Sequence, residues 1–255
     1  TSIPVYDYSL DYQEDIGALY TTYASDRKQW SFHIGLRVEY TRTTDRSNHL
    51  KRRYWDWFPH IDLSYAFDPV RQWLLIGQYA RNIERPAFST LNPNRIQTSE
   101  YTYQIGNPAL HPTYIHRFST TLVHNYHYTL TIGGNLHRDL IREFGKQDAE
   151  NSDISYITYE NHYRENHWFA VLSIPWQPLS WFHLTGNIIG VRQCIKMYKK
   201  SPYNNHYLYF GNVMTSFYIP RNYTLELRYN GNSRLYSGNS EVAPYHTLHA
   251  RISKK

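Results

Sequence analysis

The chain has 255 residues, a net charge of +6, and a composition that is 17% aromatic, 41% apolar and only 19% charged. So aromatic a sequence is not a disordered one, and without a run of about 18 apolar residues it holds no transmembrane helix. No basic stretch leads into an apolar run, so no signal peptide is expected, and the single Cys194 excludes an internal disulfide and a cysteine-based zinc site. The basic residues are scattered rather than clustered on one face, so nucleic acid is not an expected partner.

Taken in chain order, the sequence keeps a two-residue period instead of a helical one. After a first strand pattern over 14–24, the clearest case is Trp30 to Tyr40. Trp30, Phe32, Ile34, Leu36, Val38 and Tyr40 fall on one face, and Ser31, His33, Gly35, Arg37 and Glu39 on the other. Trp57 to Phe67 repeats it. Trp57, Pro59, Ile61, Leu63, Tyr65 and Phe67 oppose Phe58, His60, Asp62, Ser64 and Ala66. Strands are predicted over 14–24, 30–41, 55–67, 72–82, 113–124, 128–139, 157–176, 181–195, 206–218, 223–231 and 245–253, eleven in all. Most are about ten residues or longer, where globular strands average about five or six. That is the length that crosses a bilayer at a tilt.

The connections alternate between short and long. Short turns are predicted at Ser25–Gln29, Asp68–Arg71, Asn125–His127, Gln177–Ser180 and Ile219–Asn222, and long polar loops at 42–54, 83–112, 140–156, 196–205 and 232–244. Aromatics bracket every short turn: Tyr23 and Trp30, Tyr65 and Trp73, Tyr128, Trp176 and Trp181, Tyr218 and Tyr223. Rings with one polar group settle at a membrane–water boundary, so these residues are expected to form a girdle at the periplasmic side of an antiparallel transmembrane β-barrel. Bacterial single-chain barrels have even strand numbers. An odd count with strand-like patterns at both ends therefore makes this chain part of a larger barrel.

The loop after the fourth strand carries distinctive punctuation. Ile83-Glu84-Arg85-Pro86 is followed by Leu91-Asn92-Pro93 and then by Gly106-Asn107-Pro108-Ala109-Leu110-His111-Pro112-Thr113-Tyr114. These three submotifs, in order, resemble the β-barrel portion of TonB-dependent outer-membrane receptors of the Bacteroidota type, and Gly35-Leu36-Arg37-Val38-Glu39 resembles the family's Gly-Leu-Arg-x-Glu strand. The resemblance extends over nearly the whole chain. It implies a 22-stranded barrel of which residues 1–255 are a part, with the plug domain and terminal strands absent from it. It also implies uptake of a scarce nutrient powered by the TonB complex through that plug. Implied surroundings are outer-membrane lipid and lipopolysaccharide, with a surface lipoprotein as a further partner. No cofactor is implied.

Read as residues, Pro86, Pro93, Pro108 and Pro112 cannot sit in a sheet interior and push their predecessors toward extended backbone, while Gly106-Asn107 can turn the chain. The loop is therefore shaped rather than slack, and Arg85 is placed to pair with a carboxylate near the rim. Pro86, Pro93, Gly106, Pro108, Pro112 and Tyr114 are read as structural. Arg85, Asn92, Tyr101, Tyr103 and Asn107 are the candidate ligand contacts. Lys196, Lys199 and Lys200, beside Cys194, form a small cationic patch able to meet lipopolysaccharide phosphates.

Fourteen histidines raise a metal site. A zinc site needs three or four converging ligands, and neither His124 and His127 nor His162 and His167 has a third partner nearby in sequence. No metal site is therefore expected. With no Gly-x-Ser-x-Gly elbow, phosphate loop or His-Glu-x-x-His, no enzyme is expected either. Two other readings remain open: a non-transporting barrel scaffold in a surface complex, and a soluble aromatic-rich carbohydrate-binding β module.

The alternating faces give a direct expectation. Arginine at Ile34 or Leu63 should cost about 2–4 kcal/mol if the site lies near the bilayer midplane, measured by unfolding from lipid vesicles, whereas arginine at His33 or Asp62 should be mild. Equal costs on both faces would contradict a lipid-facing side.

Overall fold

Each segment with a two-residue period folds as one strand of an antiparallel meander. The computed structural model describes residues 11–46 and 50–254. In order these are β1 (Tyr12–Arg27), β2 (Trp30–Asp45), β3 (Leu50–Ala66), β4 (Trp73–Glu84), the one-turn helix α1 (Phe88–Leu91), β5 (Ile96–Ser99), β6 (Thr102–Gln104), β7 (Thr113–His124), β8 (Tyr128–Gln147), β9 (Ser155–Leu179), β10 (Phe182–Lys196), β11 (Asn204–Ile219), β12 (Tyr223–Asn232), β13 (Leu235–Ser237), β14 (Ser240–Val242) and β15 (Tyr245–Lys254). The wall runs β1-β2-β3-β4-β7-β8-β9-β10-β11-β12-β15, eleven strands with each neighbour antiparallel. Among the described residues β1 and β15 each have a single neighbour, so closure of the wall requires both of these edges to be paired.

All eleven predicted strands are present. Most are longer than expected, chiefly toward the long-loop side, and β1, β9, β11 and β15 gain residues at their other end. β2 continues to Asp45 and β3 starts at Leu50, which reduces the expected loop 42–54 to 46–49, with 47–49 outside the described residues. β8 reaches Gln147, so loop 140–156 shrinks to 148–154. The reason is chemical. Beyond the membrane the outer face is wet and the inner face carries buried polar groups such as Thr41, Thr43 and Asp45, so the apolar–polar alternation lapses and the sequence looks like loop although the backbone ladder goes on. Loop 83–112 is also structured, holding α1, β5 and β6, and loop 232–244 holds the hairpin β13–β14. The strand pattern expected at the start of the chain falls partly on residues 1–10, outside the described residues.

Four of the five short turns reverse the chain through left-handed backbone. Asn125 and Tyr126, and again Arg221 and Asn222, are consecutive residues at positive φ, with Lys28 and Arg71 in two other turns. Consecutive left-handed residues match the right-handed twist of the strands they join. Asp68 adds side-chain acceptors, taking the backbone N–H of Gln72 and of Trp73 at 2.9 Å each.

Register sorts the side chains into two faces. Phe32, Ile34, Leu36 and Val38 stand opposite Leu63, Ile61, Pro59 and Trp57. The same apolar face continues through Leu75, Leu122, Leu130, Leu172, Ile188, Leu227 and Ala250. The other face carries His33, His60, Asp62, Gln78, Ser119, Glu226, Arg228 and Arg251. At the turn end of the apolar face Trp30 packs on Tyr65, ring centroids 4.6 Å apart, and Trp73 stacks on His124 at 4.0 Å. A matching pair closes the far end of the same two strands, Tyr40 on Trp55 at 5.0 Å. Ten residues separate the pairs along each strand, about 33 Å of strand and about 25 Å of height at a tilt near 40°. One residue departs from the expected girdle. Tyr218 pairs with Thr224, one step out of phase with Phe217 and Ile219, so it takes the polar face, and Phe217 fills the apolar position beside Trp181. A one-residue step always exchanges the faces of a strand.

Candidate functional site

Two connections fold inward at the long-loop end and cover the polar face of the wall there. The first is the segment after β4. Arg85 leaves the end of that strand and enters a nest of acceptors on β1 to β3. Its Nη2 donates to Glu39 Oε2 at 2.8 Å and to Thr41 Oγ1 at 3.1 Å, and its Nε lies 3.2 Å from Glu14 Oε1. Arg37 holds the other oxygen of Glu39 at 3.1 Å. Glu39 and Thr41 are buried, so this guanidinium neutralises carboxylate that has lost its water.

Arg81, four residues earlier on β4, does a related job. The ladder between β3 and β4 stops at His60 and Ala80. Past that point the Arg81 guanidinium donates to the carbonyl of Trp57 at 2.6 Å and to Asp56 at 3.2 Å, lying between the rings of Phe58 and Tyr114. Tyr114 donates to the second oxygen of Asp56 at 3.0 Å. A side chain thus replaces ladder bonds where two strands part.

The loop itself is locked by its own backbone. Gly106 N–H donates to the carbonyl of Asn92 at 2.8 Å and Asn107 N–H to that of Thr90 at 2.7 Å. A Cβ on Gly106 would lie 2.4 Å from the Asn92 oxygen, so no side chain fits. Asn107 Nδ2 donates to the carbonyl of Tyr159 at 2.9 Å, tying the loop to β9, and Asn92 Oδ1 accepts from Asn94 N–H. Leu91 and Leu110 are buried, and Arg52 donates to the carbonyl of Leu110 at 3.0 Å. Between loop and wall, Glu14, Tyr54, Arg85, Pro86, Pro108 and Pro112 help to line a cavity of about 30 Å³, space for about one water.

Of the candidate contacts, Arg85, Asn92 and Asn107 are therefore occupied in holding the loop. Tyr103 is buried, stacked on Tyr156 at 5.3 Å under the Arg95 guanidinium, and its hydroxyl donates to Asp148 at 2.7 Å. Tyr101 alone of the five stands exposed, in company with Phe88 and Ile96. Burial, and after it the bond to Asp148, push the Tyr103 phenol up to about 12. That phenol and the Glu150 backbone N–H hold Asp148 below the usual carboxylate range.

The second inward connection is the hairpin β13–β14. Asn239 makes a two-way bond to Gly145 of β8, accepting its N–H at 3.0 Å and donating to its carbonyl at 2.6 Å. Gly238 sits at φ +59° against the Glu143 carbonyl, where a Cβ has no room. Tyr236 stacks on His206 at 3.7 Å and accepts from Gln193 at 3.1 Å. Below it Glu165, fully buried, accepts from Arg142, Gln193 and the rings of His162 and His167. His162 and His167, read from sequence as lacking a third partner, thus share a carboxylate. The sequence signal was available in Glu165 between them, but the arginine and glutamine come from other strands.

A model for the outer membrane protein beta-barrel family matches residues 1–255. The chain belongs to that family. Solved structures agree in fold. The ferric enterobactin receptor PfeA in complex with BCV-L6 superposes with TM-score 0.60 at 14% identity, over 95% of this chain and 38% of that one. The ferric-catecholate import receptor Fiu from E. coli K12 in its closed form gives 0.59 at 10%, over 96% and 39%. The siderophore receptor PirA from Pseudomonas aeruginosa gives 0.55 at 11%, over 96% and 51%. The chain thus spans from about two fifths to half of those chains. No curated protein sequence matches it significantly.

As an outer-membrane barrel wall, the sheet turns its apolar face to lipid and its polar face to the lumen, and the two inward connections narrow that lumen at the loop side. Two outcomes test how they are held. Arg85→Met should open residues 86–112 to protease and lower stability by about 1–3 kcal/mol, because buried Glu39 then keeps Arg37 on one oxygen and loses its partner on the other; adding Glu39→Gln should restore most of the loss. Asp148 has a lowered pKa in the fold, so its contribution is present above the ordinary aspartate value of about 3.9 and disappears as pH falls through the lowered one. Tyr103→Phe should therefore let pepsin cut segment 148–154 at a higher pH than in the unaltered protein.

Proposed function

We propose that this chain is part of the wall of a TonB-dependent outer-membrane receptor of the Bacteroidota type, importing a scarce nutrient, with a plug domain and further strands supplied outside residues 1–255. The observation that carries this reading is the inward fold of segment 85–112. A membrane wall built only to enclose water has no need of a proline-punctuated loop fastened by buried charge across its mouth; a wall that must admit one cargo does. The structures it superposes on are receptors for ferric siderophores, which makes a ferric catecholate the first cargo to test. Phe88, Ile96 and Tyr101 are the exposed apolar surface that the loop presents, suited to a cargo with aromatic faces. Lys199 and Lys200, exposed between β10 and β11, suit lipopolysaccharide phosphate.

The test is accumulation of radiolabelled iron as a ferric catecholate by cells carrying the intact protein, with and without TonB. Uptake should fall to the level of a strain lacking the receptor when TonB is removed. Uptake indifferent to TonB would overturn the reading, and surface binding without uptake would favour the scaffold alternative.

A further inference from the structure

The antiparallel register of β2 and β3 brings together three ligating side chains that lie far apart in sequence. His33 stands directly opposite Asp62, and His60 lies two residues before Asp62 on the same lumen-facing side. His60 Nε2 is 2.7 Å and His33 Nδ1 3.5 Å from the same oxygen, Asp62 Oδ2. One ligand atom from each residue lies within 4.8 Å of the other two. The other oxygen of Asp62 accepts a 3.0 Å bond from Gln78 of β4, which fixes the carboxylate and leaves Oδ2 turned toward the imidazoles.

We propose that His33, His60 and Asp62 form a binding site on the lumen wall for a borderline-soft divalent cation of the zinc, copper or nickel kind. Two imidazoles and a carboxylate are three of the four ligands of an open zinc-type site, with water in the fourth place. Tetrahedral ligands about 2.05 Å from an ion are about 3.3 Å from one another, so the 2.7 Å His60–Asp62 contact must open by about 0.6 Å, the 3.5 Å His33–Asp62 contact is near that spacing already, and the two imidazoles, within 4.8 Å, must close by up to about 1.5 Å. The surroundings allow that. Gly35 and Ala80 flank His60 across β2 and β4, and both imidazoles are about half exposed, so the rings can turn and the ion can enter from lumen water. Gln78 supplies the outer hydrogen bond that orients a ligating carboxylate. A hydrogen-bonded His–Asp pair alone would account for His60 but not for His33 converging on the same oxygen.

The test uses the intact protein in detergent, without a polyhistidine tag, titrated with Co²⁺ and then Zn²⁺. One equivalent of Co²⁺ should give visible absorption that Zn²⁺ abolishes. His33→Gln and His60→Gln should each weaken binding at least about tenfold, while His249→Gln, at an exposed lumen histidine on β15, should leave it unchanged. The electrophoretic shift between heated and unheated samples confirms that each variant is folded. Absence of saturable binding, or binding that both site variants retain, would overturn the proposal.

Discussion

A strand that crosses hydrocarbon can place its backbone N–H and C=O groups only on another strand. The remaining features of this chain follow from that constraint. It requires long strands in an uninterrupted antiparallel ladder, and the eleven wall strands provide one. It requires tight reversals on one side, which the left-handed pairs at Asn125-Tyr126 and Arg221-Asn222 provide. It also divides every strand into a lipid face and a water face, because successive side chains point to opposite sides. Even the exception obeys it. Where β3 and β4 part company, the Arg81 guanidinium takes over the bond to the Trp57 carbonyl.

The division of faces decides where charge can go. Glu39, Asp56 and Glu165 are buried, yet all lie on the lumen side and each meets an arginine from elsewhere in the wall or the loop. Such pairs hold position more than they add stability, since the desolvation of both partners offsets much of their attraction. Their effect is geometric. Arg85 fastens the segment after β4 to β1–β3, and Gln193, Gly145 and His206 hold the hairpin β13–β14 across β8–β11. The mouth of the wall is therefore shaped by fixed side chains, with Tyr101, Phe88 and Ile96 left outward.

The wall was legible in the sequence because its physics is local and periodic. Trp30–Tyr40 and Trp57–Phe67 display their faces without reference to any partner. Strand ends beyond the membrane were not legible, since Thr41–Asp45 and Leu140–Gln147 no longer alternate between oil and water. Tyr218 shows the limit of counting aromatics near turns: proximity to a turn does not fix phase, and Phe217 holds the lipid position. In the loop, the prolines and Gly106 announced a fixed shape and Arg85 a carboxylate partner. Which carboxylates, and the engagement of Asn107 with β9 and of Tyr103 with Asp148, depended on contacts between segments distant in sequence. The same holds for His33, His60 and Asp62. Each is an ordinary lumen residue until β2 and β3 are set in register.

The central claim is that this sheet separates lipid from water residue by residue. Spin labels placed singly at positions 31 to 39 of β2 in the membrane-embedded protein test it most directly, by comparing relaxation from oxygen, which concentrates in lipid, with relaxation from a chromium complex confined to water. Oxygen should dominate at 32, 34, 36 and 38 and the chromium complex at 31, 33, 35 and 37, with 39 shielded from both by the Arg85 loop. Accessibility that varies smoothly along the strand, without a two-residue period, would contradict the account.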